Sequence, residues 1–491
     1  MTERAPLRDN ASPLELLRSA SAIEVAARIR RRAVSSREMV DACIAEVERV
    51  NPTLNAVVAT RFDEARAEAE LADRRLASED VASLPPLHGV PCTIKECFAL
   101  VGMPQTSGLP ARVGFRPSAD APAVTRLRDA GAIPVGVTNI SELCMWMESF
   151  NRVYGRTNNP YDPSRIVGGS SGGEGAIVGS GASLFGLGSD VGGSIRMPAF
   201  FNGVFGHKCS AGLIPNSGQY PEGDGAAGNF LSTGPIARRA EDLSMLVRIL
   251  AGPHASDANT KPIPLLDPTQ VDLSRVRVLN VPDDGRTYVS PALRASQKRV
   301  AEHLRSLGCQ VEERRFVRLK KAFDIWSTML HDAQGTPFAT LLANGEKWKS
   351  VPELAKLLTR RSAHTLPAVI LAVGERITDL APGHTRAMVE QGRLLRAELD
   401  EALAGDTVML YPPYGMVAPK HDVPLLWPFL WVYTAILNVM QLPVTQVPLG
   451  LDPRGLPLGV QVAAGHGHDH LTLAVAHELE RAFGGWVRPS S

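Results

Sequence analysis

Gly168-Gly169-Ser170-Ser171-Gly172-Gly173-Glu174-Gly175, followed by Gly188-Ser189-Asp190-Val191-Gly192-Gly193-Ser194-Ile195-Arg196-Met197-Pro198, is the most informative stretch of this 491-residue chain. Two serines stand among glycines here, where the backbone has almost no side-chain cover and a ligand can come close to main-chain N–H groups. From Val191 to Ser194 successive N–H groups can converge on the oxygen of a tetrahedral intermediate, and losing one such donor typically costs about 3 kcal/mol of barrier. Ser194 is therefore the expected nucleophile.

On either side of this stretch, from Leu87 to Pro235, β-prone runs (Val90 to Ile94, Ala132 to Val137, Leu184 to Gly188) alternate with helical ones (Asp120 to Ala130, Ser141 to Met147). That alternation predicts an α/β fold with a largely parallel sheet covered by helices on both faces. A second α/β stretch follows, with strands at Val276 to Val281 and Gln310 to Glu313 around a helix from Pro291 to Leu307. Strands return at Val408 to Tyr411, Leu442 to Val447 and Leu458 to Val462, before a last helix from Asp469 to Phe483. Helical periodicity marks a flank over about 13–80, with Ser36 expected to cap the helix beginning near Arg37. A variable helical insertion is expected over about 317–403, and the catalytic core over about 85–240. With no internal repeat and no low-complexity linker, 1–491 reads as a single domain.

A serine hydroxyl needs a base, and no histidine occurs in the glycine-serine stretch. Upstream, Gly89-Val90-Pro91-Cys92-Thr93-Ile94-Lys95-Glu96 delivers a lysine at the end of a β-prone run. Only ten of the 52 Lys+Arg residues are lysine, so where a bare positive charge suffices this chain uses arginine. A desolvated ammonium gives up its proton and becomes a usable amine base, whereas a guanidinium stays charged. Lys95 is the expected base.

Bulk properties narrow the partners. The formal net charge of +1 leaves no global field for nucleic acid or an anionic membrane, so a small-molecule substrate is expected and no nucleic acid. The apolar segment Leu425 to Met440 is shorter than the roughly 20 residues of a membrane span, so no transmembrane segment is expected, and the segment is assigned to core or pocket wall. Met1-Thr2-Glu3-Arg4 opens a polar N-terminus without a cleavable apolar stretch. The cysteines Cys43, Cys92, Cys97, Cys144, Cys209 and Cys309 are scattered, with only Cys92 and Cys97 close in sequence. They read as reduced thiols of a cytoplasmic protein.

These motifs resemble the amidase signature hydrolases, and the Gly-Gly-Ser-Ser-Gly-Gly-Glu-Gly variant, followed by Gly-Gly-Ser-Ile-Arg-Met-Pro-Ala-Phe-Phe-Asn-Gly, is most similar to the fatty acid amide hydrolase branch. The resemblance runs from the helices near Ser21 to Glu48 through Leu442 to Gly450 and is weakest over 317–403. It implies an α/β/α sandwich around a large mixed, mostly parallel sheet. It also implies a Ser, cis-Ser, Lys triad of Ser194, Ser170 and Lys95, with Ser170 relaying the proton. Val191, Gly192, Gly193 and Ser194 would be the oxyanion donors, and Ser171, Asp190 and Arg196 the supporting residues. No metal or organic cofactor is implied. The expected reaction is cleavage of hydrophobic acyl or aryl amides through an acyl-enzyme, and the same acylation would act on carbamates and esters.

Competing readings remain open at this level. Gly168-Gly169-Ser170-Ser171-Gly172 also fits the G-x-S-x-G elbow with Ser170 as nucleophile, which leaves Lys95 and the Ser194 block unexplained. A glutaminase-type subunit of an amidotransferase and a catalytically dead binding protein are the alternatives from other classes. His466-Gly467-His468-Asp469-His470 resembles a metal tract, although Asp469 fits an N-cap of the last helix. Trp427, Phe429, Trp431 and Tyr433 alternate within an apolar run, a pattern that suits packing. Of these, Trp427 and Trp431, together with Met145, Trp146 and Met147, are the candidates for contact with substrate. The sequence leaves the oligomeric state open and is compatible with a homodimer.

Overall fold

Three short runs, Val90–Lys95, Ala132–Thr138 and Phe185–Asp190, are buried at every position. Burial on both faces of a strand requires cover on both sides, and it explains why these segments read as small or apolar throughout instead of alternating. The computed structural model describes residues 10–333, 335–379 and 382–490, so the Met1 to Arg4 start lies outside it.

In chain order the strands are β1 (Val57–Thr60), β2 (Val90–Lys95), β3 (Ala132–Thr138), β4 (Phe150–Asn151), β5 (Gly155–Arg156), β6 (Phe185–Asp190), β7 (Phe205–Lys208), β8 (Ser232–Ala237), β9 (Arg277–Asn280), β10 (Gln310–Glu313), β11 (Thr407–Tyr411), β12 (Val444–Leu451) and β13 (Pro457–Ala464). β4 and β5 form a small ribbon, and the others make one 11-stranded sheet ordered β1-β3-β2-β6-β8-β7-β12-β13-β11-β9-β10. The sheet is mixed. Its two parallel blocks, β3-β2-β6 and β11-β9-β10, flank an antiparallel centre running from β6 through β8, β7 and β12 to β13. The large mixed sheet expected of the α/β fold is present, with parallel pairing in these two blocks, an antiparallel β1 at one edge, and an antiparallel centre that reaches β11. There β12 and β13 are joined by the tight Asp452 to Leu456 turn, closed by Asp452 N donating to Leu456 O at 2.8 Å, and a short connection forces antiparallel pairing. Helices pack over the sheet, among them Ala240–Leu250 on β8, Asp469–Phe483 on β12, and Pro291–Ser306 on β13 and β9.

Some local expectations shift by a residue or more. The flank divides into helices Pro13–Ser19, Ala22–Arg30, Ser36–Leu54 and Phe62–Ser78. Ser35, not Ser36, caps the third of these in a capping box with Glu38; the Ser36 hydroxyl instead donates to Gly89 O at 2.9 Å, tying the flank to the start of β2. Asp469 does not cap its helix either. His468 takes that position, and the Asp469 carboxylate accepts hydrogen bonds from His207 Nε2 and Ser210 N at 3.1 and 2.9 Å.

The predicted helix from Ser141 to Met147 is a loop with one short 3-10 turn at Glu142–Cys144, and both Leu143 and Cys144 have positive φ (50° and 60°). Its cause is local. Ser141 Oγ donates to Trp146 O and Glu148 O at 2.7 and 2.9 Å, so the side chain closes the loop on its own backbone in competition with a helix.

The insertion is helical as expected, with Ala322–Asp332, Phe338–Leu342, Ser350–Leu358, Leu366–Asp379 and Pro382–Ala402. Within Leu425 to Met440, helix Val432–Val439 is wholly buried, whereas Leu426, Trp427 and Phe429 face outward. No helix among the described residues is long and apolar enough to cross a membrane.

Candidate active site

The parallel block β3-β2-β6 brings three strand ends together, with Lys95 level with Thr138 and Asp190 closing β6. Carboxyl ends of parallel strands are where open α/β sheets place their ligand sites. Lys95 is fully buried. Its Nζ donates to Ser170 Oγ at 2.8 Å, to Ser189 Oγ at 2.9 Å and to Ser189 O at 3.4 Å. The Gly169–Ser170 peptide bond is cis. Ser171, directly after it, donates its main-chain N–H to Ser194 O at 3.1 Å, so the two glycine-serine segments lie against each other. The Ser171 hydroxyl lies 3.3 Å from Ser189 O; it holds the β6 backbone and does not touch Lys95.

Glycine is required at two of these positions. Gly168 has φ +82°, and a Cβ there would sit 2.7 Å from Pro198 N; Gly193 has φ +119°, and its Cβ would sit 2.1 Å from Thr434 Oγ1.

The turn from Asp190 to Arg196 is held by one carboxylate. Asp190 accepts from Gly193 N at 2.6 Å, Ile195 N at 3.1 Å, Arg196 Nε at 3.0 Å and Arg196 Nη2 at 2.9 Å, and both side chains of the ion pair are fully buried. Burial alone would raise the Asp190 carboxyl. The Arg196 guanidinium and the charge of Lys208 outweigh it and hold the group well below the usual carboxylate range. Arg196 is itself anchored by Gln461 Oε1 at 2.8 Å and by Asn438 Oδ1. Removing Asp190 strands a buried guanidinium, so Asp190→Ala should lose about 3–5 kcal/mol of unfolding free energy, read by denaturant titration at neutral pH. The sign with pH follows from the low folded value: this stabilisation is complete above pH about 4 and is lost as pH falls further.

The carbonyls of the turn all point into partners. Val191 O accepts from Trp326 Nε1 at 3.0 Å, Gly192 O from Thr434 Oγ1 at 2.8 Å, and Gly193 O from Met197 N at 2.8 Å. Of the four predicted oxyanion donors, Gly193 is already engaged by Asp190, because that contact is what shapes the turn. The N–H groups of Val191, Gly192 and Ser194 make no hydrogen bond among the described residues.

These elements enclose a pocket of about 430 Å³, counted out to its open mouth. Ser194, Val191, Gly192 and Met197 form one side. Cys144, Met145, Trp146 and Met147 form another, and Trp326, Leu371 and Trp431 the third. Trp326 and Trp431 stand edge to face, 4.7 Å between ring centroids, over Gly192. Of the substrate-contact candidates, Met145, Trp146, Met147 and Trp431 line this pocket. Trp427 does not: it is 53% exposed on the surface, because a turn at Pro428, closed by Trp431 Nε1 donating to Pro428 O at 2.6 Å, breaks the strand-like alternation. Tyr433 is buried, with its hydroxyl on Thr287 O at 2.6 Å.

Several site residues lie beyond what the sequence reading assigned. Ser189 bonds Lys95 from within the quoted block, and its place beside Asp190 was the available signal. Trp326 and Leu371 come from the insertion and carry no local signal. Glu96 turns away from its neighbour Lys95 to accept from Thr106 N, Ser107 N and Tyr154 Oη at 2.6, 2.9 and 2.8 Å, and burial pushes its carboxyl up to about 7.

As for metal ligands, His207, Cys209 and Asp469 have donor atoms within 4.8 Å of one another. His207 and Asp469 are already hydrogen-bonded, with His207 Nδ1 on Thr445 Oγ1 at 2.8 Å and Asp469 on His207 Nε2 and Ser210 N, so the two form a clasp between β7 and the last helix. His466, from the same tract, bonds Ala211 O at 3.0 Å.

A buried lysine on a serine hydroxyl thus lies beneath a glycine-built turn at the end of parallel strands. A family model for amidases matches residues 38–473; the chain belongs to this family and is an amide-cleaving hydrolase. It is 47% identical to fatty-acid amide hydrolase 2-A of Danio rerio over 97% of this chain and 91% of that protein. It is 45% identical to fatty-acid amide hydrolase 2 of Homo sapiens, with 97% and 91% covered. Among solved structures, 6-aminohexanoate cyclic dimer hydrolase superposes with a TM-score of 0.81 at 26% identity, over 96% of this chain and 98% of that one.

Proposed function

We propose that this chain hydrolyses amides of long or bulky hydrophobic acyl groups, with Ser194 as nucleophile, Ser170 as proton relay and Lys95 as base. The observation that carries the reading is the Lys95 Nζ to Ser170 Oγ bond of 2.8 Å, next in sequence to the Ser171 N–H that holds Ser194 O in the wall of an apolar pocket. Ser194 Oγ attacks the carbonyl carbon, its proton passes to Ser170 Oγ, and the Ser170 proton passes to the neutral Lys95 amine. The N–H groups of Val191, Gly192 and Ser194 receive the oxyanion. The proton then returns through Ser170 to the scissile nitrogen, the C–N bond breaks, and water releases the acyl group from Ser194 by the same route.

The fatty-acid amide names of the two relatives agree with the pocket wall. Its described lining holds no Asp, Glu, Lys, Arg or His, so the charged end of glutamine has no salt-bridge partner of those types there, which disfavours the amidotransferase reading. A panel of primary amides of increasing acyl length tests this. Each buried methylene contributes about 0.8 kcal/mol, so kcat/KM should rise about fourfold per methylene until the pocket is filled. A panel in which short polar amides or glutamine turn over best would sink the hydrophobic-acyl reading. Carbamates outranking amides of equal size would move the assignment to urethane cleavage.

A further inference from the structure

The N–H groups of Val191, Gly192 and Ser194 each belong to a peptide unit whose carbonyl is held by a donor. These peptide bonds are trans. In a trans peptide the C=O and the N–H point in opposite directions from one rigid plane, so a donor on the carbonyl fixes where the N–H aims. Asp190 O, in the plane of the Val191 N–H, accepts from Asn438 Nδ2 at 2.8 Å. Gly193 O, in the plane of the Ser194 N–H, accepts from Met197 N at 2.8 Å. Val191 O, in the plane of the Gly192 N–H, accepts from Trp326 Nε1 at 3.0 Å.

The third donor differs from the other two. Asn438 and Met197 lie on helices Val432–Val439 and Arg196–Phe201, both buried throughout. Trp326 reaches in from helix Ala322–Asp332 of the insertion, and the side chain that donates to the turn is itself part of the pocket wall. Its ring stands edge to face with Trp431, and both press on the turn: a Cβ added to Gly192 would sit 3.1 Å from the Trp431 ring and 3.4 Å from that of Trp326.

We propose that Trp326 is a positioning residue that aims the Gly192 N–H at the oxyanion and so couples the fit of the acyl group to the rate of its transfer. The inference rests on the proposed roles of Ser194 and of the turn. One side chain then does two things. Its ring bounds the acyl group, and its N–H, by loading Val191 O, polarises the Gly192 N–H into a stronger donor. Such donors lower the barrier only when aimed at the place where the charge develops. A poor fit against the indole is therefore felt at the reacting oxygen, and not only in binding.

The test compares Trp326→Phe with the wild-type chain, both checked for folding by circular dichroism. Phenylalanine keeps an aromatic wall and removes the N–H. For a hydrophobic amide kcat should fall by about 10- to 100-fold, short of the roughly 10² to 10³ that follows outright loss of a donor. KM should stay within about twofold, since the lost interaction belongs to the transition state. A trifluoromethyl ketone of the same acyl chain should weaken by the factor seen in kcat: Ser194 Oγ adds to its carbonyl carbon and leaves a negative oxygen for the turn to hold. The matched secondary alcohol forms no such bond and should bind as before. Trp431→Phe trims the other ring, whose N–H goes to Pro428 O and not to the turn; it should raise KM for a long acyl chain and leave the ketone's advantage over the alcohol intact.

A folded Trp326→Phe chain with wild-type kcat and ketone affinity overturns the proposal, as does one in which only KM rises. Mapping the fluorophosphonate adduct of the wild-type chain keeps the two levels apart. An adduct on a residue other than Ser194 removes the proposed function and this inference with it, whereas an adduct on Ser194 with ketone binding untouched by Trp326→Phe removes this inference alone.

Discussion

Ser194→Ala should lower kcat for a hydrophobic amide by about 10⁴ to 10⁶, and labelling by a fluorophosphonate should disappear with it. Triads lose this much when the nucleophile goes, because the remaining groups have no atom to activate, and the residual rate comes from substrate binding and the oxyanion donors. At 1.36 kcal/mol per tenfold the loss is about 5–8 kcal/mol of barrier. Thermal unfolding should hardly move, since the side chain borders a pocket and is not packed within the core. Ser170→Ala separates this from the elbow reading. Ser194 keeps its hydroxyl in that variant but loses the proposed relay to Lys95 Nζ, so labelling should continue slowly. A variant pair with the reverse pattern, labelling kept in Ser194→Ala and lost in Ser170→Ala, would transfer the nucleophile to Ser170.

How far the sequence disclosed this site depends on whether a residue's role is set by its own segment. β2, β3 and β6 were legible because complete burial leaves only small and apolar residues in each, and Lys95 stands out as the cation ending such a run. Helix Gly172–Gly179 was not legible. Four of its eight residues are glycine, poor helix formers in isolation, and they are present because neighbours crowd them; a Cβ on Gly173 would meet Asn139 N at 2.4 Å.

The pocket shows the same division. Met145 to Met147 follow a strand end and could be placed beside the site from order alone. Trp326 reaches Val191 only because helix Ala322–Asp332 packs on helix Val432–Val439, a docking of surfaces that no single segment encodes.

Lys95→Met should separate the two jobs assigned to the amine. Methionine keeps most of the buried volume and removes the donor and acceptor, so the fold is expected to persist, as checked by circular dichroism. General acid and base contributions are worth about 10² to 10⁴ each in rate. An amide needs both, a base for Ser194 and an acid for the departing nitrogen, whereas the alkoxide leaving from an ester requires far less protonation. Amide kcat/KM should therefore fall by about 10⁴ or more and that of the matched ester by about 10². Lys95 lies among hydrogen-bonding groups at the strand ends. Its partners are two hydroxyls and a carbonyl. The neighbouring acid, Glu174, is pushed by burial up to about 8, against the hydrogen bonds from Thr93 and Thr138 and the charge of Lys95. Equal losses on amide and ester would show that Lys95 does not deliver the leaving-group proton, and unchanged rates on both would remove it from the reaction.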